Sequence, residues 1–555
     1  MQRRELLIST ALGAAWAAGG CHAPAAAAHI TGGFTGTDAA RGHSLRDALR
    51  AGKAWPTPAK TLHTEVVIAG GGVAGLAAAR ALRQQGVEDF ALLELEDTVG
   101  GNSRAGTLGG MACPQGAHYL PVPGPGAPEV QDLLEEFGLR QRVAGRWQYD
   151  EGTLCHSPQE RLFFQGHWQE GLLPLQGVTA ATLAQYHRFA DLVAQVRGRA
   201  QWVLPMQNKP LAQLQWALAA ITFVAYLNQN SLTDPQLRWY LDYCCRDDYG
   251  AGLDTVSAWA GLHYFASRHG FHVPGQDRLD PGEREGVLTW PEGNAWLTHR
   301  LAAPLGTRMH TGRVVVRIAN TRTGVEVDTL DPASQTLERW VARRAVVALP
   351  LFVAARVVQN APDFLRHAAQ STVYAPWLVT NMQLVEPLAD RPGAAPAWDN
   401  VLYGTASLGY VDAMHQSLQA VPGPTVLTHY RAVGAGAGGP AAGRQQLLNQ
   451  AWTTWRDEIL AELSVAHPDI VAKTRHMAFT RYGHAMAIPG PKSLGKTVPW
   501  PTGNMRKQLS KSEHYPQRPL PSWEHLCFAH SDWAGYSVFE EAFALGHAAG
   551  QVPRA

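Results

Sequence analysis

An α/β fold is predicted by three features of this 555-residue sequence. Val66-Val67-Ile68 is a short β-branched strand that runs straight into Gly70-Gly71-Gly72-Val73-Ala74-Gly75, and the Ala- and Leu-rich stretch from Leu76 to Gln85 reads as a helix. A second apolar run, Phe90 to Leu95, carries an acid, Glu94, 19 residues beyond Gly75. Short β-branched runs then recur far downstream, at Val314–Ile318, Gly324–Val327 and Ala345–Pro350. Strand, GxGxxG and helix in that order form a Rossmann-like dinucleotide-binding unit.

The chain opens with Arg3-Arg4, an apolar stretch to Ala18, and the small residues before Cys21. Basic head, apolar segment and small residues form a secretory signal over 1–21, and the paired arginines suggest the twin-arginine route to the periplasm, which carries folded proteins. The residues before Cys21 also resemble a lipoprotein processing site, with Ala18 where Leu is usual, so membrane anchoring through Cys21 is a second expectation. Residues 22–62, rich in Ala, Gly, Pro and Thr without sustained periodicity, read as a linker or a loosely packed arm, with the fold beginning near His63.

The remaining cysteines, Cys113, Cys155, Cys244, Cys245 and Cys527, show neither CxxC pairing nor zinc spacing, and no metal is expected. With 47 Lys+Arg against 46 Asp+Glu the chain lacks the basic footprint of a nucleic-acid binder. The apolar stretch from Trp216 to Leu227 is too short to cross roughly 30 Å of hydrocarbon and reads as a buried helix.

Within the dinucleotide unit, Gly70 permits the tight turn, Gly72 lets the backbone approach a pyrophosphate, and Gly75 allows close helix–strand packing. The phosphates then sit at the positive end of the helix, and Glu94 is placed to accept hydrogen bonds from the adenosine ribose.

Directly after the acidic strand comes Thr98-Val99-Gly100-Gly101-Asn102-Ser103-Arg104. Here the chain resembles the flavin-containing amine oxidase superfamily, which includes monoamine and polyamine oxidases and phytoene desaturase-like enzymes. The resemblance implies that FAD is the cofactor and that Gly100, Gly101 and Arg104 lie near its phosphates and flavin, with Asn102 where the family usually has Arg. Pro291-Glu292-Gly293-Asn294 is similar to the family's Pro-Gly-Gly segment, with Asn294 replacing the second Gly. The strands from 314 to 349 match the return to the FAD domain, where Val315 would meet the adenine through its backbone. The resemblance thus implies a GR2-type FAD-binding domain built from discontinuous segments, 63–120, 286–352 and 486–555. An α+β substrate domain would be assembled from 121–285 and 353–485.

Near the C-terminus, Cys527-Phe528-Ala529 leads through His530-Ser531-Asp532-Trp533-Ala534-Gly535-Tyr536 into a helix from Ser537 to Ala549. This is similar to the family's closing motif, which makes Asp532 the acid that receives a ribitol hydroxyl. Trp533 and Tyr536 match the Trp-Ser-Gly-Tyr run of monoamine oxidases, so Tyr536 is either one wall of an aromatic cage beside the flavin or a packing residue. Ser537 and Glu540 read as a capping box, and Glu541 has no assigned role. In Arg481-Tyr482-Gly483-His484-Ala485-Met486, Ala485 stands where the second cage Tyr is expected. His484, near the position that bonds flavin covalently in some relatives, is a candidate catalytic, attachment or structural residue. His118, Tyr119, Trp398, His415 and His429 are candidate pocket residues.

The stretch from Tyr374 to Met382 lacks the Lys that many amine oxidases place beside flavin N5. Oxidase and dehydrogenase therefore both stay open, with oxygen or a redox partner as electron acceptor. The expected function is an exported FAD-dependent oxidoreductase that dehydrogenates an amine or similar small-molecule substrate by hydride transfer. The alternatives are a desaturase or isomerase of an apolar lipid-like substrate, and a non-catalytic lipid-anchored FAD scaffold.

Overall fold

Two large sheets share the chain between them. The computed structural model describes residues 27–52, 55–155, 159–273, 286–418, 421–436, 438–494 and 520–551. The secretory signal and Cys21 lie outside the described residues.

The first sheet is built on Lys60–Ala69, whose β-branched Val66, Val67 and Ile68 are fully buried together with Ala69. Phe90–Leu93 and then Met309–His310 lie parallel on one side of it, and Thr336–Val347 lies parallel on the other. Thr336–Val347 divides its far edge between two partners. Its first half pairs antiparallel with Gly324–Asp331, which continues to Val314–Thr321, and its end pairs in parallel with Leu526–Phe528, Ala345 facing Leu526. Strands from three distant stretches are thus hydrogen-bonded into one sheet, and the helix Val73–Gln84 packs on it in a common apolar core.

The closing helix, Phe539–Gly550, lies directly on Val73–Gln84. The approach is close because Gly546 and Gly550 have no side chain: a Cβ on Gly546 would fall 2.0 Å from the Ala74 carbonyl oxygen, and one on Gly550 would fall 2.5 Å from that of Ala78. The expected capping box is absent. Val538 is the N-cap residue, and Ser537 Oγ accepts instead from the Ala487 N–H at 3.0 Å.

The second sheet runs Thr31–Phe34, Thr474–Ala487, Tyr374–Leu384, Thr425–Ala432, Tyr410–Asp412, Asp399–Leu402, Glu160–Phe164 and His167–Glu170. Helices between residues 180 and 266 bury aromatic and aliphatic side chains against one face of it, with Trp259, Phe223 and Tyr249 at the centre. The Trp216 to Leu227 stretch forms two short helices, Gln213–Leu218 and Phe223–Gln229, where one was expected. The break is local: Thr222 Oγ1 accepts from the Ala225 N–H at 3.3 Å and starts a new helix. No helix of the described residues is long and apolar enough to cross a membrane.

The expectation of a linker or loosely packed arm over 22–62, with the fold beginning near His63, is corrected within the described residues. Thr31–Phe34 pairs in parallel with Thr474–Ala487, Thr31 opposite His476, and Ala39–Arg50 is a helix capped by Asp38. Its composition suggested no structure because the arm has little core of its own; it is ordered by a sheet edge contributed from more than four hundred residues downstream.

Candidate active site

The glycine turns carry the geometry expected of a dinucleotide site. Gly70 adopts φ +106°, and a Cβ there would meet the Ala348 carbonyl oxygen at 2.3 Å, so only glycine fits the turn. A Cβ on Gly75 would overlap the Gly70 carbonyl oxygen at 1.9 Å. Gly72 differs from both, since a Cβ on it would meet nothing nearer than the Gly101 Cα at 3.9 Å. Its open side faces a cavity of about 450 Å³, also lined by Gly70, Gly100 and Gly101.

The fit to FAD rests on three observations. The Val73–Gln84 helix starts at Gly72 with no side-chain cap, leaving its first N–H groups for an anionic group. The space beside Gly72 is a cradle that any side chain would fill. Asn294, which also lines the cavity, buries Oδ1 without a partner among the described residues, while its Nδ2 donates to the Tyr119 carbonyl at 2.8 Å. Glu94 and Val315 lie on the same wall. Glu94 accepts from the backbone N–H of Gly71 at 2.7 Å and of Glu96 at 2.8 Å. Burial nevertheless holds its carboxyl above the ordinary range.

Asp532 lines the cavity as a charged group. Burial pushes its carboxyl up, but nearby His530, the Tyr374 hydroxyl at 2.6 Å and the Leu351 N–H at 3.0 Å overcome that and hold it below the usual range. His484 opens onto the cavity beside the Phe352 ring at 4.6 Å, and surrounding protein with Arg444 and Arg356 pushes it down to about 4.

Three expected site residues fall elsewhere. Arg104 does not line the cavity; its Nη1 donates to the Gly36 carbonyl at 2.7 Å and ties down the N-terminal arm. Trp533 packs against Phe364 and Phe528 in the core behind the sheet. Tyr536 is 0% exposed among Tyr249, Trp259 and His263, and its hydroxyl donates to Glu541 at 2.6 Å. The helix starts only at Phe539, so Ser537, Val538 and Phe539 occupy the cavity wall and Tyr536 is set behind it.

Of the candidate pocket residues, His118 and Tyr119 reach the cavity. His118 stacks on Tyr430 with centroids 4.2 Å apart, and burial pushes its pKa down to about 3. Trp398 sits behind His118, His429 is buried beside Glu462 at 3.6 Å, and His415 is not on the wall.

Sequence reasoning missed the acidic end of the cavity, where Asp247, Asp248, Arg268 and Glu540 meet. Burial, reinforced by Asp248, raises Asp247 to about 7 against the Tyr119 hydroxyl 3.2 Å away. Burial raises Glu540 to about 7 as well. Asp248 is paired with Arg268 at 3.0 Å. One signal was present in the sequence: Asp247 and Asp248 fall in the last turn of the helix Pro235–Tyr249, where the helix dipole disfavours negative charge. Trp377, Tyr430 and Tyr482 supply aromatic surface, and no Lys is on the cavity wall among the described residues.

Comparison with known proteins agrees with this geometry. The model of the family "Flavin containing amine oxidoreductase" matches residues 73–551. Among solved structures, a redesigned putrescine oxidase superimposes with a TM-score of 0.62 at 16% identity, covering 88% of this chain and 98% of the other. Cyclohexylamine oxidase from Brevibacterium oxydans IH-35A gives 0.58 at 17% identity, over 88% and 98%. A fatty acid isomerase from P. acnes that produces CLA gives 0.54 at 15%, over 87% and 97%. A curated Baeyer-Villiger monooxygenase of Pseudomonas aeruginosa is 43% identical over 63 residues, 11% of this chain and only 12% of that protein. The uncapped helix at Gly72, the paired glycine turns and the family match over most of the chain lead to one conclusion: it belongs to the flavin-containing amine oxidoreductase family and is an FAD-dependent oxidoreductase.

Proposed function

We propose that the chain dehydrogenates an amine that enters the acidic end of the cavity as a cation. The observation that carries this reading is the pair of carboxyls on one cavity wall, half-buried Asp247 and buried Glu540, each raised to about 7 by desolvation in a cavity continuous with the glycine cradle. A group whose charged form is disfavoured by burial is stabilised by an incoming positive charge, so the site favours an ammonium group. FAD, when bound, supplies a hydride acceptor at N5.

The chain's own residues then have distinct tasks. Ionised Asp247 and Glu540 attract the ammonium group and can accept its proton, because an amine must be neutral to release hydride. Trp377, Tyr430 and Tyr482 exclude water and orient the carbon chain. His118 and His484 are neutral above about pH 5, so neither adds a competing positive charge. Two carboxyls on the wall are a poor lining for an apolar lipid-like molecule, which disfavours the desaturase or isomerase reading.

The test is anaerobic titration of the purified yellow protein with amines, amino acids and alcohols. Amines should bleach the flavin absorbance, and Asp247→Asn should weaken amine binding more than it slows reduction at saturation. Bleaching by alcohols alone, or by nothing in the panel, would reject the reading. Reoxidation by air, compared with reoxidation by an artificial acceptor, then separates oxidase from dehydrogenase.

Export by the twin-arginine route belongs to the same proposal and rests on the Arg3-Arg4 signal. Replacing both arginines by Lys should strand holoprotein in the cytoplasm, and undiminished delivery to the periplasm would reject the route. Loss of membrane association in Cys21→Ala would establish the lipid anchor.

A further inference from the structure

The arm before the dinucleotide fold crosses from one sheet to the other over the cofactor cavity. Thr31–Phe34 adds to the edge of the second sheet, and the Arg481 guanidinium lies 3.7 Å over the Phe34 ring. The chain then turns at Gly36, whose carbonyl is held by Arg104, and the Thr37 hydroxyl donates to the Arg481 carbonyl at 3.0 Å.

From there the arm reaches the loop that carries Glu94. The Asp38 N–H donates to Glu96 Oε1 at 3.2 Å, and Arg41 Nη1 donates to the Leu95 carbonyl at 2.7 Å and to Asp97 at 2.9 Å. One turn on, Leu45 is only 8% exposed. It packs in the same core as Leu93, Val314 and Val315 and lines the cavity with Glu94, Arg313 and Val315. Those are the groups around the adenosine end of the cofactor, so one helix both roofs that end and pins the loop that presents Glu94.

We infer that residues 31–50 are part of the FAD site: Leu45 closes the adenosine end, Asp38 and Arg41 clamp the 94–97 loop, and the cofactor leaves only when this arm undocks. The arm's fastenings suit such a role. Apart from Leu45, the partly buried Leu49 and the exposed Phe34 ring on Phe479 and Arg481, its contacts are hydrogen bonds and ion pairs, which open locally at low cost compared with global unfolding. Undocking therefore costs the second sheet only its edge strand, Thr31–Phe34, and leaves the first sheet intact.

The test uses the full chain. FAD binding to apoprotein is titrated by flavin fluorescence, and release from holoprotein is timed after dilution, for the parent, Leu45→Ser, Arg41→Ala and Arg50→Ala. Arg50 is exposed at the end of the same helix and serves as the control. Leu45→Ser and Arg41→Ala should each weaken FAD binding by about tenfold, chiefly through faster release, with Arg50→Ala matching the parent. Trypsin cleavage at Arg46 and Arg50 of the parent provides a readout that needs no variant. Saturating FAD should slow it by about tenfold relative to apoprotein. Release from both variants at the parent's rate would overturn the inference, as would equal cleavage of the arm with and without FAD.

Discussion

Replacing Glu540 by Gln should make the protein more stable at pH 8 while making it a poorer amine binder. Glu540 is 2% exposed at the start of Phe539–Gly550, where the helix N-terminus and Arg268 favour its charge, yet burial with Asp248 and Glu541 nearby raises the carboxyl to about 7. Its folded pKa exceeds the ordinary value of 4.5, so between those two pH values the native state binds more protons than the unfolded chain. Native stability is therefore greatest below 4.5 and falls as pH rises towards 7. At about 1.4 kcal/mol per pH unit, the interval is worth about 3 kcal/mol. Gln reproduces the neutral carboxyl in shape and does not titrate. The stability gap in favour of the variant should accordingly be close to zero at pH 4.5, open through pH 6 and level off near 3 kcal/mol at pH 8. Urea unfolding of both proteins at the three pH values, each saturated with FAD, measures it. A gap that stays flat with pH, or a parent more stable at pH 8, would refute the reasoning. Anaerobic amine titration of the same samples should show weaker binding by the Gln variant above pH 7.

Gly72→Asp should leave the urea midpoint of the apoprotein nearly unchanged, because a Cβ there meets open space, but flavin absorbance per chain should vanish. Gly75→Ala should do the reverse damage first, lowering stability by about 3 kcal/mol in urea because its Cβ overlaps the Gly70 carbonyl. Tyr536→Phe should leave stopped-flow flavin reduction within about twofold of the parent and cost about 1–2 kcal/mol of stability, since it removes the hydroxyl that Glu541 accepts. Asp532→Asn should be destabilising at pH 7, and the deficit should shrink as pH falls through and below the ordinary carboxyl range near 3.8. A carboxyl held below that range by His530, Tyr374 and Leu351 contributes stability only while ionised; thermal melts at pH 7, 5 and 3 measure the trend.

Local backbone chemistry made the dinucleotide unit legible in the sequence. A β-branched strand, a turn that needs glycine at Gly70 and Gly75, and an Ala-rich helix are each specified by neighbours in the chain, so pattern and spacing located them. Glu94 and Val315 reach the cavity wall for the same reason: Glu94 directly follows the strand Phe90–Leu93 and Val315 lies on Val314–Thr321, and the place of those strands in the sheet brings both there. Even the Gly546 and Gly550 approach to Ala74 and Ala78 was implicit in the small residues of two helices, although nothing in the sequence paired them.

Tertiary packing decided what each remaining side chain faces. Two residues between Tyr536 and the start of the last helix are enough to put that ring into the core and Val538 on the cavity wall, a shift no motif comparison resolves. Arg104 has the right type and place in the motif, but the Gly36 carbonyl competes for its guanidinium once the arm docks. The arm itself became ordered only because a distant strand left an open edge for Thr31–Phe34. Asp247 and Glu540 come from helices in different parts of the chain, and their raised pKa values arise from shared burial. Burial depends on which elements meet in space. The glycine cradle was therefore readable from sequence, and the charge at the acidic end of the cavity was set by the folded structure alone.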